Sequence, residues 1–160
     1  MKFTKKELIV FIITVVVIII GYFGTKWYVG NRYDYYIVDG ESMLPNIENG
    51  AEVKIDKHKK VSRYDVVVLE VGNSTIVKRV IGIPGDKLKF TKEDKLYFNE
   101  EEVKYPFEIQ GKTRIIDEEI KLDYQFYYVL GDNRDDAYDS RTFGKVSRSE
   151  IIGVVVDINN

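Results

Sequence analysis

The sequence predicts a mainly β protein, in which a mostly antiparallel β domain follows one N-terminal transmembrane helix. The first observation is an apolar run over residues 8–23 of the 160-residue chain, long enough to form most of a membrane-spanning helix. The second is a succession of short β-branched and aromatic runs separated by turn residues, with no convincing second helix. Many short strands joined by turns are typical of an antiparallel sheet fold.

The apolar run is interrupted only by Thr14, Gly21 and Tyr22. Extended through Thr25 it covers about 18 residues, or about 27 Å as a helix, which is close to the roughly 30 Å hydrocarbon core. Lysines precede the run and aromatic residues follow it, a pattern that favours a cytoplasmic N-terminus. We therefore expect residues 1–30 to be a cytoplasmic stub with a single membrane anchor, and residues 31–160 to be one extracytoplasmic domain at the cell membrane.

Two other interpretations of the apolar run are weaker. A cleaved secretory signal needs a shorter apolar region that ends in small residues of the Ala-x-Ala type, but no alanine precedes Ala51. A buried core helix would carry polar residues on one face at helical spacing, and the run has no such face. A retained anchor is the better prediction.

Turn residues divide the rest of the chain into predicted strands. Asn49 and Gly50 mark one turn, and the residues at 72–74 mark another. The predicted strands cover residues 33–38, 52–55, 66–69, 75–83, 87–90, 96–99, 103, 124–130 and 151–158. Residues 31–160 contain no repeat, low-complexity tract or linker composition, so we expect a single domain there.

The amino-acid composition argues against several classes of function. The formal net charge of −2 provides no basic field for nucleic acid. The absence of cysteine excludes disulfides, thiolate metal sites and cysteine nucleophiles. The lone histidine, His58, lies in a lysine-rich run that is typical of a solvated loop, so a Ser-His-Asp triad is poorly supported.

Ser42 and Lys78 are candidates for a nucleophile and a base that need no histidine. Ser42 lies between Gly40 and Pro45, where the simpler interpretation is a turn residue; the glycine also permits close approach of a substrate backbone. Lys78 lies in a predicted strand, on the same face as Ile76 and Val80. Burial of that face would lower the pKa of Lys78, although long lysine stems also extend out of apolar strands to solvent.

Several ordered motifs behind the anchor carry a family resemblance. They are SMLP at 42–45, RYDVV at 63–67, KRVIGIPGD at 78–86, GDNR at 131–134 and DSRTFG at 139–144. In this order the chain resembles the type I signal peptidases, the membrane-bound serine proteases that release exported proteins from their signal peptides. The resemblance covers essentially the whole chain and implies a coiled, mostly antiparallel β fold of the signal-peptidase type. The short stretch at 87–125 is similar to the Gram-positive members.

The resemblance also implies a mechanism and a set of residue roles. Ser42 would be the nucleophile and neutral Lys78 the general base of a Ser/Lys dyad, without metal or cofactor. The substrates would be preproteins with Ala-x-Ala-type signal peptides, bound at the lipid bilayer. Oxyanion and substrate contacts would come from Gly40, Ser42 and Met43. Structural support would come from Arg79 paired with Asp132 and from Asp139 paired with Arg141.

Three positions depart from the best-known form of the family. Gly40 lacks the hydroxyl that some relatives use as an oxyanion donor, so oxyanion binding would depend more on the Ser42 amide. Ala137 stands where relatives often carry a serine that hydrogen-bonds the catalytic lysine. Tyr64 replaces a usual glycine. An apolar edge with Tyr33, Tyr35, Tyr36 and Phe143 is a candidate for lipid contact, although aromatic residues at this density are equally typical of a core.

Two alternatives remain open from the sequence. A self-cleaving, repressor-type Ser/Lys peptidase shares the dyad chemistry, but it would need a cytosolic chain with a partner domain and its own cleavage site. The other is a catalytically weak or inactive membrane-anchored homologue that binds signal peptides or assists pilin assembly. Ala137 supports it, and the presence of both Ser42 and Lys78 opposes it.

Overall fold

The structure, a computed structural model, describes residues 4–114 and 119–160 and divides the chain into two compact units. The first unit extends to Asp34 and consists mainly of helix α1 (Lys5–Arg32). Thr4 caps this helix: its hydroxyl accepts a hydrogen bond from the Glu7 amide, and its own amide donates to the Glu7 carboxylate. This reciprocal pair satisfies two amides that the first helical turn leaves unpaired.

Helix α1 has the length and the composition to cross a membrane, and it is the one such helix in the described part of the chain. Its 28 residues extend about 42 Å at about 1.5 Å per residue. Its side chains are exposed throughout the apolar run. The helix therefore starts at the polar residues before the run and continues past its end.

The second unit, Tyr35–Asn160, is built from strands. The strands of the described residues are β1 (Tyr33–Ile37), β2 (Glu52–Asp56), β3 (Val66–Val71), β4 (Ser74–Gly82), β5 (Lys87–Phe90), β6 (Leu96–Phe98), β7 (Glu101–Val103), β8 (Glu119–Lys121), β9 (Phe126–Leu130), β10 (Val146–Ser147) and β11 (Ile151–Asn159). They form a seven-stranded sheet in the order β1-β2-β11-β3-β4-β9-β10 and a four-stranded sheet in the order β7-β6-β5-β8. Every strand pair with a defined register is antiparallel, which confirms the predicted fold class.

Three apolar clusters make up the core of the second unit. One of them joins the two sheets, because it combines Ile81 and Leu130 of the large sheet with Leu88 and Phe90 of the small one. Another contains Met43 and Ile47, which follow Ser42 closely in the sequence. Their burial in the core holds the turn that carries Ser42 in place. Burial of these side chains stabilises the fold by roughly 25 cal/mol for each Å² of apolar surface removed from water.

The predicted strands match those of the structure to within a few residues, and two short strands were missed. Strands β8 (Glu119–Lys121) and β10 (Val146–Ser147) contain one apolar residue each, so no run of β-branched and aromatic residues marks them in the sequence. A short helix, α2 (Ser140–Phe143), begins at the end of the charged stretch at 131–141. By default such a stretch is a surface loop, but the structure buries Asp132, Arg134 and Asp139 within it.

The structure accounts for Tyr64, which replaces a usual glycine. Its φ of 70° lies in the left-handed region that favours glycine. The tyrosine ring packs against Phe98 and, edge to face at 5.6 Å, against Phe107. Ring pairs of this kind contribute about 0.5–1.5 kcal/mol beyond area burial, which helps to offset the backbone strain.

Candidate active site

The structure brings Ser42 and Lys78 into direct contact. Ser42 lies in the turn after β1, and Lys78 lies in the middle of β4. The Lys78 Nζ donates a hydrogen bond to Ser42 Oγ over 2.8 Å, within the range needed for proton transfer between a nucleophile and its base. Residues 36 positions apart in the sequence therefore form one chemical unit.

The surroundings of Lys78 are apolar, as its strand position predicts. Its register partner on β3 is Val67, and Val67, Val80 and Ile76 belong to one apolar cluster. Only 3% of Lys78 is exposed, so the stem does not extend out to solvent. Burial lowers the pKa of Lys78 from 10.5 to about 8, against the smaller opposing effects of the Asp139 and Asp132 charges. An amine with this pKa is readily available in its neutral, basic form near neutral pH.

A second hydrogen bond orients the lysine amine. The Lys78 Nζ also donates to the backbone carbonyl of Val77 over 2.7 Å. Ala137 has no polar side-chain atom to offer at the position where relatives often carry serine, and the Val77 carbonyl supplies an acceptor from the strand itself. In the neutral amine, one N–H can remain on Val77 while the lone pair accepts the Ser42 proton.

A small cavity opens beside the pair. Its volume is about 140 Å³. Strands β1 and β4 supply most of its wall, so an extended peptide would lie between two strands. The side chains that line it include Tyr36, Val38, Asp39, Ser42, Ile76 and Lys78.

The three predicted oxyanion and substrate contacts differ in what they can donate. The Ser42 amide has no hydrogen-bond partner among the described residues, so it is available to an oxyanion. The Gly40 amide already donates to Asn49 Oδ1 over 2.9 Å. The side chain of Met43 is fully buried in the core, which leaves only its backbone for substrate.

One of the two predicted ion pairs connects the lysine strand to the loop at 131–141. Arg79, next to Lys78, donates from Nε to Asp132 Oδ1 over 2.8 Å and from Nη2 to Asp132 Oδ2. Asp132 is completely buried, whereas 12% of the Arg79 side chain is exposed. The Arg79 guanidinium also stacks over the Phe107 ring at 4.2 Å. This pair is therefore a buried, bidentate contact, unlike exposed ion pairs that contribute little.

The other predicted pair closes the loop on itself. Asp139 accepts two hydrogen bonds of 2.8 Å from the Arg141 side chain. The same carboxylate caps α2 through the Arg141 amide and accepts from the Gly131 amide over 3.1 Å. Two carboxylate oxygens thus hold both ends of residues 131–141.

Sequence reasoning missed two residues of this loop that contact the nucleophile turn. The Asn133 amide donates to the Ser42 carbonyl over 3.0 Å. A Cβ added to Gly131 would lie 2.6 Å from that same carbonyl oxygen, so only glycine fits there without displacement. Both residues stood within the GDNR motif, but nothing in a single sequence indicates which of its members touches Ser42.

The described residues contain no group of acidic or histidine side chains arranged to hold a metal ion. The chemistry available at the site is that of a serine hydroxyl, a partly neutral lysine and an unpaired backbone amide. This combination can attack a carbonyl carbon, transfer protons and stabilise an oxyanion.

Comparison with known proteins agrees with this chemistry. Residues 5–158 match the family model described as signal peptidase, peptidase S26. The chain is similar to signal peptidase I V of Bacillus subtilis, with 33% identity over 76% of this chain and 83% of that protein. It is also similar to signal peptidase IB of Staphylococcus aureus, with 32% identity over 94% of this chain and 88% of that protein. A solved signal peptidase I from Enterococcus faecalis aligns with a TM-score of 0.53 and 26% identity, over 61% of this chain and 98% of that chain.

Proposed function

This chain belongs to the signal peptidase family, peptidase S26, and we propose that Ser42 and Lys78 carry out its peptide-bond cleavage. The protein is a signal peptidase, a serine protease that removes signal peptides, and its N-terminal apolar helix fits a membrane-anchored enzyme. The observation that carries the proposal for these two residues is the 2.8 Å contact between Lys78 Nζ and Ser42 Oγ in a buried, apolar setting.

Acylation begins when neutral Lys78 takes the proton of the Ser42 hydroxyl. Ser42 Oγ attacks the scissile carbonyl carbon, and the carbonyl oxygen becomes an oxyanion that accepts a hydrogen bond from the Ser42 amide. The tetrahedral intermediate then expels the amine of the mature protein, which takes the proton back from Lys78. The signal peptide remains as an ester on Ser42.

Deacylation repeats the same proton transfers with water. Lys78 accepts a proton from a water molecule as the water oxygen attacks the ester carbonyl, and then returns a proton to Ser42 Oγ as the leaving group. The cleaved signal peptide departs with a new carboxylate. One amine thus serves as base and acid in both halves of the reaction, which requires that it stays close to Ser42 throughout.

The family resemblance and the position of the cavity support a substrate class. The resemblance to the signal peptidases implies small residues at the first and third positions before the cut, and the cavity between β1 and β4 opens beside Ser42 and Lys78, so we place Ala-x-Ala-type signal peptides there. The apolar segment of such a substrate and helix α1 would share one lipid bilayer. We propose a single span with the N-terminus in the cytoplasm and residues 31–160 outside, because lysines precede the apolar run.

Cleavage of a preprotein tests this function directly. Full-length protein in detergent should release a mature protein from a preprotein with an Ala-x-Ala site, and mass spectrometry should place the new N-terminus directly after the second alanine. The same preprotein with phenylalanine at that position should be cut at least about tenfold more slowly, because the resemblance implies a shallow pocket for a small residue there, and a larger side chain would displace the scissile bond from Ser42. Equal rates for the two substrates, or a cut elsewhere, would contradict the substrate assignment.

A catalytically inactive binding homologue predicts a different outcome in the same assay. It would bind the preprotein and release no product. Ala137 is the residue that favours this alternative, since the serine of relatives is absent. The hydrogen bond from Lys78 to the Val77 carbonyl weakens the argument, because the lysine amine keeps a second partner.

The pH dependence of cleavage should follow the neutral form of Lys78. The pKa of Lys78 is about 8, so about a tenth of the molecules carry the neutral amine at pH 7. We expect kcat to rise about tenfold for each pH unit below the pKa and to level off above about pH 8. A rate that falls between pH 6 and pH 8 would indicate a different base.

A further inference from the structure

We infer that Asn46 is a positioning residue, which sets the separation of Ser42 and Lys78 through the buried carboxylate of Asp132. The inference rests on the proposed dyad. Asn46 lies four residues after Ser42, at the end of the same turn. Its side-chain amide donates to Asp132 Oδ2 over 2.9 Å and to the Glu108 carbonyl over 2.8 Å.

The carboxylate of Asp132 is hydrogen-bonded both to the strand that carries Lys78 and to the turn that carries Ser42. Both of its oxygens accept hydrogen bonds from Arg79, the residue after Lys78 on β4. Asn46, from the turn of Ser42, donates to Oδ2, the same oxygen that accepts from Arg79 Nη2. Asn46, Asp132 and Arg79 therefore form a continuous polar bridge between the segment with the nucleophile and the strand with the base. The bridge is built on a fully buried group, where hydrogen bonds to a charge are strong.

Two adjacent residues of the loop at 131–141, Asp132 and Asn133, bind the two ends of the turn that carries Ser42. The Asn133 amide donates to the Ser42 carbonyl over 3.0 Å, and Asp132 accepts from Asn46 at the other end. Without Asn46, only the Ser42 end would remain attached to this loop. A displacement of the turn would move Ser42 Oγ relative to Lys78 Nζ, and misplacement by about 1 Å can reduce a rate by about a hundredfold.

The two acceptors beside residue 46 match the two hydrogens of an asparagine side-chain amide. Both partners, a backbone carbonyl and a carboxylate, are acceptors, and a side-chain amide nitrogen has two hydrogens to give. An ionised aspartate has nearly the same shape as asparagine but no hydrogen to donate. At position 46 its oxygens would face the Glu108 carbonyl and the Asp132 carboxylate, which are also acceptors. A threonine hydroxyl could satisfy only one of them.

Steady-state kinetics of Asn46→Ala and Asn46→Asp in the full-length protein test the inference. We expect kcat to fall about tenfold to a hundredfold, with KM changed by less than about twofold, because Asn46 does not line the cavity. Asn46→Asp should fall at least as far as Asn46→Ala. The control is Asn99→Ala, which removes the side-chain oxygen that accepts a hydrogen bond of 3.1 Å from the Lys87 amide and should leave kcat unchanged. Rates are compared at a temperature where circular dichroism shows every variant to be folded.

A double-mutant cycle with Asp132→Asn separates positioning from general destabilisation. If Asn46 acts through the charge on Asp132, the effect of Asn46→Ala on kcat should shrink in the Asp132→Asn background. Equal effects in both backgrounds, or a kcat of Asn46→Ala like that of the parent, would overturn the inference. If Asp132→Asn does not fold, the comparison of Asn46→Ala with Asn99→Ala decides alone.

A crystal structure of Asn46→Ala provides a readout that does not depend on activity. We expect the distance from Lys78 Nζ to Ser42 Oγ to exceed about 3.5 Å, beyond hydrogen-bond range. An unchanged distance would contradict the positioning role even if the parent protein cleaved no substrate. A different result would contradict the proposed dyad: the parent protein would cleave the preprotein, and Ser42→Ala would cleave it equally fast.

Discussion

Loss of either dyad member should abolish signal-peptide cleavage. We expect Ser42→Ala and Lys78→Met each to lower kcat by more than about a thousandfold, because a nucleophile and its base act as a unit. Ser42→Ala removes the attacking oxygen. Lys78→Met keeps the length of the side chain and removes the amine that accepts the proton. The measurement is release of mature protein from a preprotein, quantified over several hours for the slow variants.

Stability measurements separate this catalytic effect from misfolding. Below pH 8 the folded protein keeps a buried ammonium at Lys78, which costs free energy relative to the unfolded chain. Since the pKa of Lys78 is about 8 in the folded state and 10.5 ordinarily, this cost is fully present below about pH 8. It disappears as the pH rises towards 10.5, because the unfolded chain binds more protons over that range.

Lys78→Met should therefore be at least as stable as the parent at pH 7, by thermal denaturation, while it is inactive. A Lys78→Met protein that unfolds at a much lower temperature would mean that the lysine mainly supports the fold. Lys78→Arg is a useful companion, because its guanidinium stays charged and should not restore activity at any pH.

The second large effect is expected from Asp132→Ala, which breaks the buried pair with Arg79. Removal of one partner leaves an uncompensated charge, and such changes cost about 3–5 kcal/mol. Asp132 has no exposed surface and also holds Asn46, so the variant loses contacts to two elements. We expect a large fall in the free energy of unfolding by chemical denaturation, together with loss of cleavage.

An exposed ion pair is the control for this second prediction. Lys95 and Glu102 are 3.1 Å apart with side chains about half exposed, and Glu102→Gln should leave stability unchanged within error. If Asp132→Ala were no more destabilising than Glu102→Gln, the Arg79 pair would have no structural importance. Double substitution of Asp132 and Arg79 by apolar residues should recover part of the loss, because no charge then remains unpaired.

Several features were predictable because they depend on local patterns. The apolar run and its flanking lysines predicted α1, and alternating β-branched residues predicted nine of the strands, each confirmed within a few residues. The motifs predicted the signal peptidase family, which the comparisons confirm. The strand pattern left open whether Lys78 is buried or extends to solvent. Periodicity shows which strand residues share a face with Lys78, but it does not show whether another part of the protein covers that face.

Other features depend on contacts between distant segments and were not predictable. Strand β10 exists because Val146 pairs with Tyr127, and no two-residue pattern predicts a strand. Asn46 had no signal of its own, because its partners lie 62 and 86 residues away. Tyr64 contradicts the local preference for glycine at a positive φ, and only the rings of Phe98 and Phe107 explain it.

The sequence by itself determined the N-terminal apolar helix, the β class, the family and the identities of the candidate nucleophile and base. Only the tertiary structure decided that Ser42 Oγ and Lys78 Nζ lie 2.8 Å apart, that the amine is buried, and that the Ser42 amide is unpaired among the described residues. The physical reason is that a pKa and a reactive distance depend on desolvation and on contacts from segments far apart in the chain. A single sequence gives the residue types of those segments, but it does not show which of them are in contact in the folded protein.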